Sequence, residues 1–168
     1  PEQTTTLYSE ALKYLDLTPD QTLIDAYAGV GTLGILASDQ VRQVIGIESI
    51  PEAVIDAQEN CRLNHVRNAE YIQGNVEKLL PELKNQGVPI NALIVGRPRA
   101  GVIQKLIKTL LEVKPETFVY VSCNPATLAK DLVLLSEAYD VRVIQPVDMM
   151  PQTPRWEGVT KLVLRKNR

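Results

Sequence analysis

Residues 22–35 read TLIDAYAGVGTLGI. The seven residues TLIDAYA, a run of strand length, lead into three glycines, Gly29, Gly31 and Gly34, at the point where helical spacing begins. Glycine there permits a tight turn and lets a ligand approach the backbone, with the free N–H groups of a helix N-terminus behind it. The stretch predicts a strand, a glycine loop and a helix in immediate succession, and the rest of the chain is read outward from that unit.

Downstream, apolar runs of strand length recur as QVIGIES, AEYIQGN, NALIVG and TFVYVSC. They are continuous rather than alternating, the pattern of strands covered on both faces. Between them the spacing predicts helices near residues 32–38, 51–64, 76–85, 101–112 and 125–137, with another at about 4–15. Pro51 and Pro125 stand where a first-turn proline is tolerated, because the N–H it lacks would be unpaired there anyway. Strand alternating with helix makes a doubly wound α/β domain with a mostly parallel sheet. The end departs from this rhythm. YDVRVIQPVDM and VTKLVLRK are two strand-like runs joined only by MPQTPRWEG, and they are expected to close the sheet as an antiparallel pair.

The 168 residues, 45% of them hydrophobic, are expected to form one domain over 1–168. A formal charge of −2 excludes a uniformly basic face, so a nucleic-acid partner would need a local patch. Arg97, Arg99, Lys105 and Lys108 are the candidates for one. No apolar run approaches the roughly 20 residues that span a bilayer, which predicts a soluble, cytoplasmic protein. Cys61 and Cys123 are too few for a disulfide framework or a metal cluster. Pro1 in place of methionine points to a piece of a longer chain.

Glu48 ends the second predicted strand, 19 residues after Gly29, where its carboxylate suits a ribose diol. Read literally, the loop is also a dinucleotide fingerprint. It therefore leaves open both a nicotinamide cofactor and S-adenosylmethionine, each of which carries an adenosine ribose. Asn75 suits either an adenine edge or a plain turn. Cys123 sits at a strand end just before a helix, where N–H groups favour a thiolate. Glu157 stands beside Trp156 in the last connection, a setting for a general base. Blander roles fall to Trp156 and Cys61 as packing, to His65 as a surface loop residue and to the RKNR tail as solvated.

The segments DAYAGVGTLG, GIESIPEAVIDAQENCRLN, VYVSCNPATLAKD and MPQTPRWEGV, in this order, resemble the catalytic domain of the RNA (uracil-5-)-methyltransferases. The resemblance implies a Rossmann-like class I S-adenosylmethionine-dependent methyltransferase fold acting on rRNA or tRNA. It implies that Cys123 attacks C6 of a uracil and that Glu157 later removes the C5 proton. Asp25, Tyr27, Gly29, Gly31, Glu48 and Asn75 are then expected at the cofactor, and Arg99, Asn124 and Thr153 at the substrate. It further implies a C-terminal fragment of a longer protein, with substrate-binding parts elsewhere. Where the family usually reads Asp-Pro-Pro-Arg-x-Gly, this chain reads GRPRAG, with Gly96 for the aspartate and Arg97 for the first proline. Arg155 stands where a histidine is common. The lost carboxylate motivates an alternative, a cofactor- or RNA-binding module without catalysis. A nicotinamide-dependent oxidoreductase is the other alternative.

Overall fold

A computed structural model describes residues 2–96, 102–122, 124–147 and 157–166. The elements run α1 (Glu2–Tyr14), β1 (Thr22–Ala26), α2 (Thr32–Ala37), a 3₁₀ turn (Ser38–Gln40), β2 (Gln43–Glu48), α3 (Pro51–Leu63), β3 (Ala69–Gln73) and α4 (Val76–Asn85). They continue with β4 (Ala92–Val95), α5 (Val102–Val113), β5 (Thr117–Ser122), α6 (Pro125–Leu135), β6 (Tyr139–Val147) and β7 (Glu157–Leu164).

One seven-stranded sheet has the order β3-β2-β1-β4-β5-β7-β6. β1 pairs in parallel with β2 and β4, β2 with β3, and β4 with β5, as the continuous apolar runs predict. β7 is antiparallel to both β5 and β6 and lies between them. The class I methyltransferase arrangement expected above is therefore the one observed. Its order reverses between β1 and β4, and open α/β sheets bind ligands outside the carboxyl ends of strands at such a point.

Burial explains why β1, β2, β4 and β5 carry no polar face. On one side Ile24, Leu93, Phe118 and Leu162 pack with Leu80, Leu106, Leu110 and Leu128 of α4, α5 and α6. On the other, Leu23, Val44, Ile94, Val119 and Val159 pack with Leu7 and Ala11 of α1, with Leu15 just beyond it, and with Leu33 and Ala37 of α2. A smaller cluster seats α3 through Val54, Ala57 and Cys61 against Tyr71 of β3. Cys61 is thus a packing residue, and burial pushes its thiol above the ordinary range.

Two sequence expectations are refined. Glu157 is the first residue of β7 and not part of the connection, because it is buried at the sheet end opposite Val147. The predicted second helix stops at Ala37 and tightens into the 3₁₀ turn.

Candidate active site

The carboxyl edge of the sheet gathers nearly every described residue singled out from the sequence. β1 ends in the glycine loop, β2 in Glu48, β3 leads to Asn75, and β4 leads to Gly96. β5 ends at Ser122, next to Asn124 at the start of α6. Because β7 runs antiparallel, its first residue, Glu157, reaches the same edge, and Ser122 is in register with Gly158.

The loop after β1 is built from left-handed residues. Tyr27, Gly29 and Gly31 have φ of 56°, 58° and 86°. Gly31 also requires glycine for space, since a Cβ there would lie 2.9 Å from the Tyr71 ring and 3.1 Å from the Ala57 side chain. The Tyr71 hydroxyl donates to the Gly31 carbonyl at 3.0 Å, so β3 fixes the loop from below. A Cβ built at Gly29 meets nothing within 4 Å, which leaves the outer face of the loop open to a ligand.

Two carboxyl groups hold this loop in different ways. Asp25 is buried beneath it and accepts from the Gly34 N–H at 3.1 Å. Burial pushes its carboxyl up to about 7; the Gly34 bond opposes this and the nearby Glu48 charge adds to it. Asp25 therefore serves the site from behind the loop. Glu48 spans two turns, accepting from Gly29 N–H and from Ile50 N–H, both at 2.9 Å. Each carboxylate oxygen retains a further lone pair, because a carboxylate has about four acceptor positions.

Tyr27 is half-buried and donates to Glu77 of α4 at 2.8 Å. Burial first, and then the Glu77 bond and charge, push its phenol well above the ordinary range. The pair crosses from the glycine loop to the first turn of α4 and forms one wall of the site. No local pattern in the sequence couples positions 27 and 77, and neither Glu77 nor Tyr71 was legible as a site residue. Asn75 is the N-cap of α4, its Oδ1 accepting from Lys78 N–H at 3.1 Å. Of its two sequence readings the structure thus supplies a turn-and-cap role, a common one for asparagine.

Asn124 caps α6 in the same way, its Oδ1 accepting from Ala126 and Thr127 N–H at 3.0 and 3.2 Å. Ser122 Oγ donates to the Asn124 carbonyl at 3.3 Å. These bonds define the strand-to-helix turn on either side of position 123. Cys123, Arg97, Arg99, Thr153, Arg155 and Trp156 lie outside the described residues. Gly96 is described, and a Cβ there would stand 2.5 Å from Leu33 Cδ1. The tip of a core leucine of α2 thus occupies the start of the path an aspartate side chain would take.

A glycine loop, an acid closing β2 and a sheet of this order define a class I S-adenosylmethionine-dependent methyltransferase fold. The model of the tRNA (Uracil-5-)-methyltransferase family matches residues 8–166, and the chain belongs to that family. An uncharacterized RNA methyltransferase of Lactobacillus johnsonii is 95% identical over all 168 residues, which cover 37% of that protein. The chain spans a little over a third of the length of the curated relatives it matches, at 37% and 36% for the first two. Among solved structures, Pyrococcus abyssi tRNA (uracil-54, C5)-methyltransferase in complex with S-adenosyl-L-homocysteine is 34% identical with a TM-score of 0.74. The match covers 96% of this chain and 38% of that one. Precorrin-6y C5,15-methyltransferase of Geobacter metallireducens, 17% identical with a TM-score of 0.76, covers 95% of this chain and 88% of its own and shares the fold alone. Membership of a methyltransferase family leaves the nicotinamide reading without support.

Proposed function

We propose that the chain is the catalytic domain, over residues 1–168, of an enzyme that methylates C5 of a uridine in tRNA or rRNA with S-adenosylmethionine. The observation that carries the reading is a register. Ser122, which precedes Cys123, is the partner of Gly158, which follows Glu157. Ser122 and Gly158, the sequence neighbours of Cys123 and Glu157, are thereby paired at neighbouring strand ends on the ligand edge.

The residues present fit the cofactor on its ribose side. Glu48 is held rigidly by two N–H groups with lone pairs to spare, and the loop before it faces open space. Once bound, S-adenosylmethionine supplies an electrophilic methyl group. Tyr27 and its Glu77 partner border the same cradle, while Asp25 and Asn75 support it through Gly34 and Lys78.

Uracil C5 is a weak nucleophile. Cys123 as thiolate adds to C6, and the electron pair of the C5–C6 double bond moves into an enolate with carbanion character at C5. After C5 has gained its methyl group it still carries a hydrogen. Glu157 accepts that proton, the double bond re-forms and the thiolate leaves, so the cysteine is regenerated. Arg99, Asn124 and Thr153 are the substrate contacts in this reading. A stacked target base has to be extruded before a thiol reaches C6.

The test is transfer of labelled methyl from S-adenosylmethionine to tRNA and rRNA transcripts by the protein and its variants. Cys123→Ala should abolish transfer, and Glu157→Gln should accumulate a denaturation-resistant protein–RNA adduct. Undiminished methylation by Cys123→Ala would end the covalent mechanism.

A second reading, a binding module without turnover, draws on Gly96, where Leu33 fills the space next to the missing side chain. Saturable cofactor binding with no transfer to any RNA would favour it.

A further inference from the structure

Beneath α6, three polar side chains are buried together in an otherwise apolar layer. The Tyr120 hydroxyl, Asp131 Oδ1 and Thr160 Oγ1 have no hydrogen-bond partner among the described residues. Their residues are 1%, 2% and 0% exposed. A buried polar atom left unpaired costs about 1–3 kcal/mol, so three in one place are not tolerated without a reason.

The topology shows that they converge. Tyr120 of β5 and Thr160 of β7 are direct register partners across the antiparallel pair, so their side chains stand side by side on one face. That face is the α6 face, since Phe118, Tyr120 and Leu162 pack in one cluster with Leu128 and Leu135 of α6. Asp131 lies three residues after Leu128 and four before Leu135, on the same side of the helix. The Tyr120 phenol, raised mainly by burial, is raised further by the Asp131 charge.

We propose that Tyr120, Asp131 and Thr160 form one hydrogen-bonded polar node, closed around a single internal water, that makes Asp131 a positioning residue for the turn between Ser122 and Asn124. The node ties α6 to β5, which ends at Ser122, and to β7, which begins at Glu157. Its consequence for Cys123 rests on the reading above; the node itself does not. Burial raises the Asp131 carboxyl above its ordinary range. Asparagine at 131 can still donate and accept, and leucine can do neither.

The experiment combines thermal unfolding with alkylation by iodoacetamide, followed peptide by peptide. If the Tyr120 hydroxyl is bonded in the node, Tyr120→Phe lowers Tm by about 3 °C, the loss of one net hydrogen bond in a domain of this size. If the hydroxyl is an orphan, the same variant leaves Tm unchanged or raises it, and the node is refuted. Tyr120→Phe in an Asp131→Asn background should cost as much as in wild type, and in an Asp131→Leu background much less. Alkylation of Cys123 should change about threefold or more in Asp131→Leu while Asp131→Asn keeps the wild-type rate. Alkylation of Cys61 should be the same in all. Equal Cys123 rates in Asp131→Leu and wild type would remove the positioning role. Should Asp131→Leu fail to fold, the sign of the Tyr120→Phe shift and the Asn comparison still decide. These readouts need neither cofactor nor RNA, so a failed methyltransferase assay leaves them interpretable.

Discussion

The two halves of the ligand edge are built on different principles. Around β1, β2 and α4 the acids are paired, Asp25 with Gly34 N–H, Glu48 with Gly29 and Ile50 N–H, and Glu77 with the Tyr27 hydroxyl. Around Ser122 and Asn124 the side-chain hydrogen bonds are local, two N-cap bonds and a serine bonded across one turn. The first half is a cradle whose shape is fixed before a ligand arrives. The second is a strand-to-helix turn whose geometry depends on how α6 is seated. A cofactor of one fixed shape suits the former, and in the proposed reaction a base that is attacked and then released suits the latter.

The largest expected effect tests whether the cradle is held at the cost of burying a carboxyl. Asp25 has its carboxyl raised from an ordinary 3.8 to about 7, so the folded state binds its proton more tightly than the unfolded chain. Its stabilising contribution is complete below about pH 4 and is lost as pH rises through 7, up to about 4 kcal/mol. Urea unfolding at pH 5 and pH 8 should show about 2–3 kcal/mol of that fall in wild type, the part below pH 5 being already lost, and a flatter profile in Asp25→Asn. Equal slopes would mean that Asp25 is not a buried acid. Next comes Gly31→Ala, which places a side chain at φ 86° and against Tyr71 and should cost about 2–3 kcal/mol of unfolding free energy. An unaffected variant would show the loop to be pliable, and the contrast between the halves would collapse.

Glu48→Gln should weaken S-adenosylmethionine binding about tenfold, measured by calorimetric titration, because the amide turns a donor toward one of the N–H groups that the carboxylate satisfies. Unaltered affinity would remove Glu48 from the proposed cofactor site. The smallest effect belongs to the second half. Asn124→Ala removes an N-cap worth about 1 kcal/mol and should shift Tm by only a few degrees. If it destabilises more than Gly31→Ala, the turn is the more rigid region and the comparison reverses.

Much of this was legible in the sequence for physical reasons that can be named. The five parallel strands were readable because burial on both faces leaves continuous apolar runs, and the glycine loop because left-handed backbone selects glycine. The antiparallel end was readable, but not that β7 lies between β5 and β6, since either order buries the same residues. MPQTPRWEG, with two prolines and a glycine, reads as a connection that includes Glu157, although Glu157 is buried and is the first residue of β7. The sequence left Asn75 open between ligand and cap, and it caps α4. Tyr27 and Glu77, 50 residues apart, meet only because β1 and α4 converge on the same edge, and spacing carries no trace of that.

The position of β7 also constrains how the chain reaches its native state. Among the described residues β6 has β7 as its sole neighbour in the sheet, and β5 meets β7 on the side away from β4. Until residues 157–164 arrive, β5 presents an open edge and β6 has nothing to pair with. During synthesis the ribosome delivers β6 first, so the growing sheet waits with an unpaired strand and a bare rim, the condition that favours association with other chains. Closure of the domain and arrival of Glu157 at the ligand edge are therefore one event, and a nascent chain that has not finished its sheet cannot yet hold its proposed base in place.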